Sequence, residues 1–228
     1  MFFMEDIIHK PQYISLDDIK KIRFFYNCVI DDTMNGGPVK SDKVKAGVQG
    51  FWNRPLRLEY PENPVHKVMQ RLREDFGDFE IVTACVAYMS YPYGPHTDTR
   101  SWEFLRNYRK NYRDGWKFLI PLAWKKDYQP GTVLFSNPPR DDESLYEDHS
   151  EWLPELSCDS KPTVEERATS FAKELGVKSI IKWQQPGDLV AWKTFQWHCS
   201  LSPKGYKYDL KSSTKEFLTI EVGFPKSK

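Results

Sequence analysis

His96 and Asp98 stand two residues apart near the end of the segment Tyr91-Pro92-Tyr93-Gly94-Pro95-His96-Thr97-Asp98-Thr99. In an extended chain, residues i and i+2 face the same side. One imidazole and one carboxylate are therefore offered together to a single metal ion. A second imidazole, His198, follows Pro186-Gly187-Asp188-Leu189-Val190-Ala191-Trp192, a tight turn leading into an apolar strand. Two imidazoles and one carboxylate on one face of a metal leave its other positions open, the arrangement that suits Fe(II) when reactants must also bind. Taken alone, His-x-Asp is a common tripeptide, and a loop histidine bonded to a nearby acid is its rival reading. Its place after a strong strand and a Tyr-Gly-Pro bend, together with the second segment, gives it weight. His9 and His66 fall in a helical N-terminal region and His149 in an acidic loop, settings that suit surface residues. His198 is the better candidate for a third ligand, by position and by elimination. Its rival reading is a buried histidine that donates to a backbone carbonyl.

Elements that position these groups can be read from periodicity. Residues Tyr13 to Cys28 predict a helix capped by Ser15, with Ile19, Ile22 and Phe25 at helical spacing. Asp31 to Gly47 reads as a loop and Gly47 to Phe51 as a short strand. Pro64 to Phe76 predicts a second helix, with Asn63 as cap and Val65, Val68, Met69, Leu72 and Phe76 on one face. From Phe79 onward the period changes to two. Strands are predicted over Phe79 to Ser90, Lys117 to Trp124, Thr132 to Phe135, Ser179 to Trp183, Asp188 to Trp192 and Glu216 to Phe224. Glu165 to Leu175 predicts a helix stopped by Gly176. Helices come first and many short strands follow, which suggests a sandwich or barrel.

Composition narrows the class. The chain has 228 residues, 39% hydrophobic and 29% charged, so it can bury a core and is not disordered in bulk. A formal net charge of +1 gives no strong nucleic-acid signal. No apolar run approaches the ~20 residues of a membrane span, and the start Met1-Phe2-Phe3-Met4-Glu5-Asp6 lacks a basic signal-peptide n-region. Cys28, Cys85, Cys158 and Cys199 form no CxxC pair. Their scatter favours reduced thiols and a cytoplasmic setting.

These pieces, in this order, resemble the Fe(II)- and 2-oxoglutarate-dependent dioxygenases. The nearest branches are the prolyl-hydroxylase-like and phytanoyl-CoA-hydroxylase-like ones. The resemblance rests on Pro95-His96-Thr97-Asp98, on Phe118-Leu119-Ile120-Pro121-Leu122 with Gly131-Thr132-Val133-Leu134-Phe135, and on Pro186-Gly187-Asp188-Leu189-Val190 ahead of His198. It implies a mainly β fold with N-terminal helices, a double-stranded β-helix (jelly-roll, cupin-like) barrel. One domain would span 1–228: residues 1–78 form helical support, and 79–224 form the core with an insertion at about 140–176. It implies Fe(II) on His96, Asp98 and His198, with 2-oxoglutarate as co-substrate and O2 as oxidant. The expected outcome is hydroxylation of a substrate with release of succinate and CO2. The rival functions are a non-enzymatic jelly-roll binding module and a cupin-like metalloenzyme that does not use 2-oxoglutarate.

Two departures from the family pattern stand out. The gap from Asp98 to His198 is long. The basic residue that pairs with the distal carboxylate of 2-oxoglutarate is a lysine here, a point charge in place of a bidentate fork. Lys215, which opens the last strand, is favoured; Lys207, Lys211 and Lys117 are the alternatives. Tyr88 and Tyr91, with Tyr93 nearer the metal pair, are candidate hydrogen-bond donors to the keto acid, and each equally suits a core or rim position. The run from Trp102 to Arg113 carries Arg106, Arg109, Lys110 and Arg113 among aromatics. In the family this region forms a lid or substrate loop. Its charges suit an anionic substrate or a solvated face balanced by the acids of the insertion. A small molecule and a protein side chain both remain open as substrates.

Overall fold

Alternation along the last strand, β10 (Lys215–Pro225), sets the plan of the molecule. Leu218, Ile220, Val222 and Phe224 face one way, into a core shared with two helices. Lys215, Phe217, Thr219 and Glu221 alternate with them and face the other way. The computed structural model describes residues 6–29, 39–40, 51–89, 102–136, 173, 176–201 and 214–226. Within these, β10 is central in a sheet that also contains β1 (Ile7–Lys10), β2 (Val39–Lys40), β3 (Phe51–Pro55), β4 (Glu80–Met89), β5 (Tyr112–Trp124) and β8 (Leu189–Lys193). The strand order is β1-β8-β5-β10-β4-β3-β2, and every pairing is antiparallel. A second antiparallel sheet runs β7 (Val177–Lys182), β6 (Gly131–Phe135), β9 (His198–Ser200).

The sheets face each other across a second core. Ala87, Met89, Leu119, Val190, Trp192 and Phe217 of the larger sheet meet Leu134 and Ile181 of the smaller, with Trp183 just beyond β7. The opposite face of the larger sheet is covered by α1 (Leu16–Phe24) and α2 (Val65–Phe76). The chain has a mainly β architecture with N-terminal helices, the facing-sheet plan of the double-stranded β-helix that the resemblance implies; among the described residues the two sheets do not close into a barrel.

Local chemistry explains the supports. The Ser15 hydroxyl accepts from the Asp18 N–H at 3.1 Å and caps α1. The helix then widens into a π-turn over Phe25–Val29. Asn63 Oδ1 accepts from the Val65 N–H at 3.0 Å and starts α2, and Gly77, with φ +86°, ends it. Gly187 also needs positive φ (+93°), and a β-carbon there would press on the Ile14 carbonyl. Its own N–H donates to Pro121 O at 2.8 Å, which fastens the turn ahead of β8 to β5. Asp188 is fully buried and accepts from the N–H groups of Gln12, Gln184 and Gln185. Burial pushes its pKa up, but those backbone donors and His9 outweigh it, and the net result is a lowered value.

Several expectations shift. A strand, β1, precedes the helices and pairs with the free edge of β8. The predicted loop 31–47 includes β2, which pairs with β3. The short strand expected over 47–51 begins, among the described residues, at Phe51 and runs to Pro55. The α-helical part of the first helix is shorter than Tyr13 to Cys28, and β5 starts earlier than Lys117. Trp102–Asn111 is a helix, α3. The helix expected over Glu165 to Leu175 lies outside the described residues except for Lys173, which is helical.

Candidate active site

His198 opens β9, where it pairs in register with Leu134 of β6. It is buried, and its ring lies 4.9 Å from that of Trp192 on the inner face of the larger sheet. The turn between β8 and β9 fixes the imidazole. Gln196 donates from its backbone to Lys193 O at 2.9 Å, and its side-chain amide donates to the Phe135 carbonyl. The Gln196 carbonyl in turn accepts from His198 Nδ1 at 2.9 Å. A carbonyl can only accept, so Nδ1 carries a proton, and in the neutral ring Nε2 then holds the lone pair. That is how metal-binding histidines are held. The rival reading from sequence includes the same hydrogen bond, so the bond orients the ring without deciding its role.

Two residues along β9, Ser200 pairs with Thr132. Its hydroxyl accepts from Lys215 Nζ at 2.9 Å, so this contact bridges the two sheets. Lys215 is 3% exposed. Its ammonium lies 5.1 Å from the ring centre of Trp183 and 5.7 Å from that of Phe217. The Trp183 indole is itself held by an Nε1 bond to Thr132 Oγ1 at 3.2 Å. Burial in this aromatic enclosure pulls the Lys215 pKa down to about 7. Burial also pushes the neighbouring Cys199 thiol up to about 12, so it remains protonated.

Of the other candidates, Lys117 is buried on β5, between Trp192 of β8 and Glu221 of β10 in register. Strand alternation puts it on the inner face with Leu119. Tyr88 lies on the helix-facing side of β4 with Val86, opposite to Ala87 and Met89. Its hydroxyl donates to Asn27 Oδ1 at 2.8 Å, and burial raises its pKa. His96, Asp98, Tyr91, Tyr93, Lys207 and Lys211 lie outside the described residues. Among the described residues no three His, Cys, Asp or Glu side chains converge. The chain leaves them at Met89, the register partner of Lys215, and re-enters at Trp102, the start of α3.

Sequence reasoning missed Ser200, Trp183 and Gln196. Ser200 carried a usable signal, since it stands two residues from His198 and shares its face of the strand. Trp183 and Gln196 act through contacts between distant segments and carried none.

No protein-family model matches the chain, and no curated protein shows a detectable sequence match. Solved structures do match. The non-heme alpha ketoglutarate dependent carbocyclase SnoK from nogalamycin biosynthesis superposes with a TM-score of 0.55 at 8% identity, covering 96% of this chain and 80% of that one. The non-heme alpha ketoglutarate dependent epimerase SnoN, from the same biosynthesis, gives 0.52 at 9%, covering 96% and 76%. A prolyl-4-hydroxylase from Pseudomonas putida gives 0.46 at 12%, covering 97% and 93%. The first two superpositions show that the chain shares the fold of these non-heme alpha ketoglutarate dependent enzymes. Among the described residues no helix is long and apolar enough to cross a membrane.

Proposed function

We propose that this protein is an Fe(II)- and 2-oxoglutarate-dependent oxygenase of the hydroxylase type. The observation that carries the reading is the inner line His198–Ser200–Lys215. His198 and Ser200 stand one strand repeat apart, about 7 Å along the backbone, and the buried ammonium of Lys215 is bonded to the Ser200 hydroxyl, so an oriented imidazole and a buried cation share the lining of a fold used for this chemistry.

By residue type the chain can supply the ligand set that suits iron: His198 would offer Nε2, and His96 with Asp98 would complete two imidazoles and a carboxylate. When bound, the iron with O2 and 2-oxoglutarate supplies the oxidant for C–H hydroxylation, and succinate and CO2 are released.

The chain's own groups bind and orient. Lys215 takes the distal carboxylate of the keto acid, and the Ser200 hydroxyl aims its ammonium. Trp183 and Phe217 keep water from that end, so the charge pair acts in a low-dielectric enclosure. A carboxylate beside Lys215 favours its charged form and offsets the desolvation that lowers its pKa. Gln196 and Trp192 hold the His198 ring while ligands exchange. Among the described residues Lys117 is a second inward lysine and the alternative anchor for the keto acid.

A succinate-release assay with Fe(II), ascorbate and 2-oxoglutarate tests the reading. Wild-type protein should form succinate, and Asp98→Ala and His198→Ala should not. O2 consumption without succinate would replace the 2-oxoglutarate reading with another metalloenzyme. Wild-type rates in either variant would remove that residue from the ligand set.

A further inference from the structure

The helix α3 is pinned to the larger sheet by an aromatic stack. The Tyr108 and Tyr112 rings lie 4.7 Å apart, and Tyr108 meets Phe195 edge-on at 5.0 Å and 83°. The Tyr108 hydroxyl donates to Val222 O at 2.6 Å. It occupies the space left by Gly115, where a β-carbon would overlap it. Phe195 sits in the turn between β8 and β9, so its backbone is at most roughly 11 Å from that of His198.

A different side of α3 is cationic. Arg106, Arg109 and Lys110 are spaced i, i+3, i+4 and share one exposed face. The Arg109 guanidinium lies 6.0 Å from the centre of the Phe195 ring. The stack thus fixes a cationic face beside the turn that leads into His198.

We infer that this face of α3 recognises the anionic group of a small-molecule substrate, a carboxylate or a phosphate ester, while the reacting carbon reaches toward His198. The inference rests on the oxygenase reading and names the substrate class for it. Guanidinium groups bind both anions through parallel N–H donors. Three cations on one face favour a multiply charged group over a single carboxylate. A small molecule is favoured over a macromolecule because these charges stand beside one turn and the chain's net charge is only +1, without the broad field that draws polyanions.

The test uses the full chain in the succinate assay with matched pairs of compounds: phosphate- or carboxylate-bearing metabolites and their neutral parents. Anionic members should stimulate succinate release over the parents. The variant Arg106→Gln/Arg109→Gln/Lys110→Gln, shown folded by its melting curve, should raise their KM about tenfold or more. Added salt should weaken wild type more than the variant. Stimulation only by neutral or cationic compounds, or only by acidic peptides, overturns the inference, as does an unchanged KM.

If wild type forms no succinate, or if no compound stimulates it, calorimetry with inorganic tripolyphosphate decides. Wild-type binding that weakens about tenfold in the variant keeps α3 as an anion-recognition face, independently of the oxygenase reading. Equal binding, or none, overturns it.

Discussion

The two faces of the larger sheet are built from different materials. On the helix-covered face, β10 contributes Leu218, Ile220, Val222 and Phe224, all buried and apolar. On the face turned toward the smaller sheet, the same strand contributes Lys215 and Glu221 at 3% and 1% exposure, and β5 contributes Lys117 at 9%. Among the described residues β10 encloses Lys215 and Glu221 almost completely on the inner face, whereas its helix-side carboxylate, Glu216, is only partly buried and pairs with Arg23 of α1. Burying an ionised side chain costs several kcal/mol unless compensated, so a fold that only needed a core would fill both faces alike. On the proposed function, the inner face with Lys215, Glu221 and Lys117 is the one that would meet polar ligands. The outer face holds the sheet in shape.

This contrast can be sharpened by substitutions on each side. The largest effect is expected at the ligands. Asp98→Ala and His198→Ala should each lower succinate formation at least ~100-fold, beyond the loss seen on removing a partner of a metal ligand. Calorimetric Fe(II) titration should show the same loss. Next is Ile220→Ala on the helix side, where a fully buried side chain is truncated. Urea unfolding should show about 2–5 kcal/mol of destabilisation, with the KM for 2-oxoglutarate within about twofold of wild type. A large KM change there would erase the division between the faces.

Lys215→Met should do the opposite, raising the KM for 2-oxoglutarate about 100-fold while leaving stability unchanged or higher. The pH dependence follows from the shift. The folded lysine titrates near 7, below its ordinary 10.5. Between those values the unfolded chain holds the extra proton, so stability should rise with pH across that window. Denaturant melts from pH 7 to 10 should show the rise in wild type, and Lys215→Met should lack this contribution.

The smallest effect concerns a support at the turn into β8, next to His9 of β1. Asp188 has a lowered folded pKa. Its contribution is present above the ordinary carboxylate range and is lost as pH falls through the folded value. Asp188→Asn should cost about 1–3 kcal/mol at pH 7 and should flatten the acid limb of the stability curve. An unchanged limb would assign the acid sensitivity elsewhere.

Legibility in the sequence followed the range of the interactions. Strands bounded by Pro-Gly turns, such as β6 and β8, could be read because their boundaries are local chemistry. So could the helix start at Ser15; the second helix lies where expected, but its N-cap is Pro64 and it begins at Val65, one residue later than the Asn63 cap predicts. The strand β1 could not: Ile7–Lys10 is short, and its partner is β8, far along the chain. The helix α3 was obscured because its basic face interrupts the apolar spacing.

At the candidate site, Lys215 was the favoured anchor, but its bond to Ser200 crosses between sheets and has no sequence pattern. Tyr88 shows a different limit. Buried residues occur on both faces of β4, so alternation marks two sides without saying which is the inner one. Its hydroxyl proved to point at Asn27 on the helix side.

Anaerobic titration of Fe(II) into the protein with 2-oxoglutarate, followed in the visible region, tests the central claim most directly. Wild type should develop the weak metal-to-ligand charge-transfer band of a chelated keto acid. His198→Ala should lose it, and Lys215→Met should require far more 2-oxoglutarate to reach it. A wild-type protein that develops no band, or a His198→Ala variant that keeps it at full strength, would contradict the account.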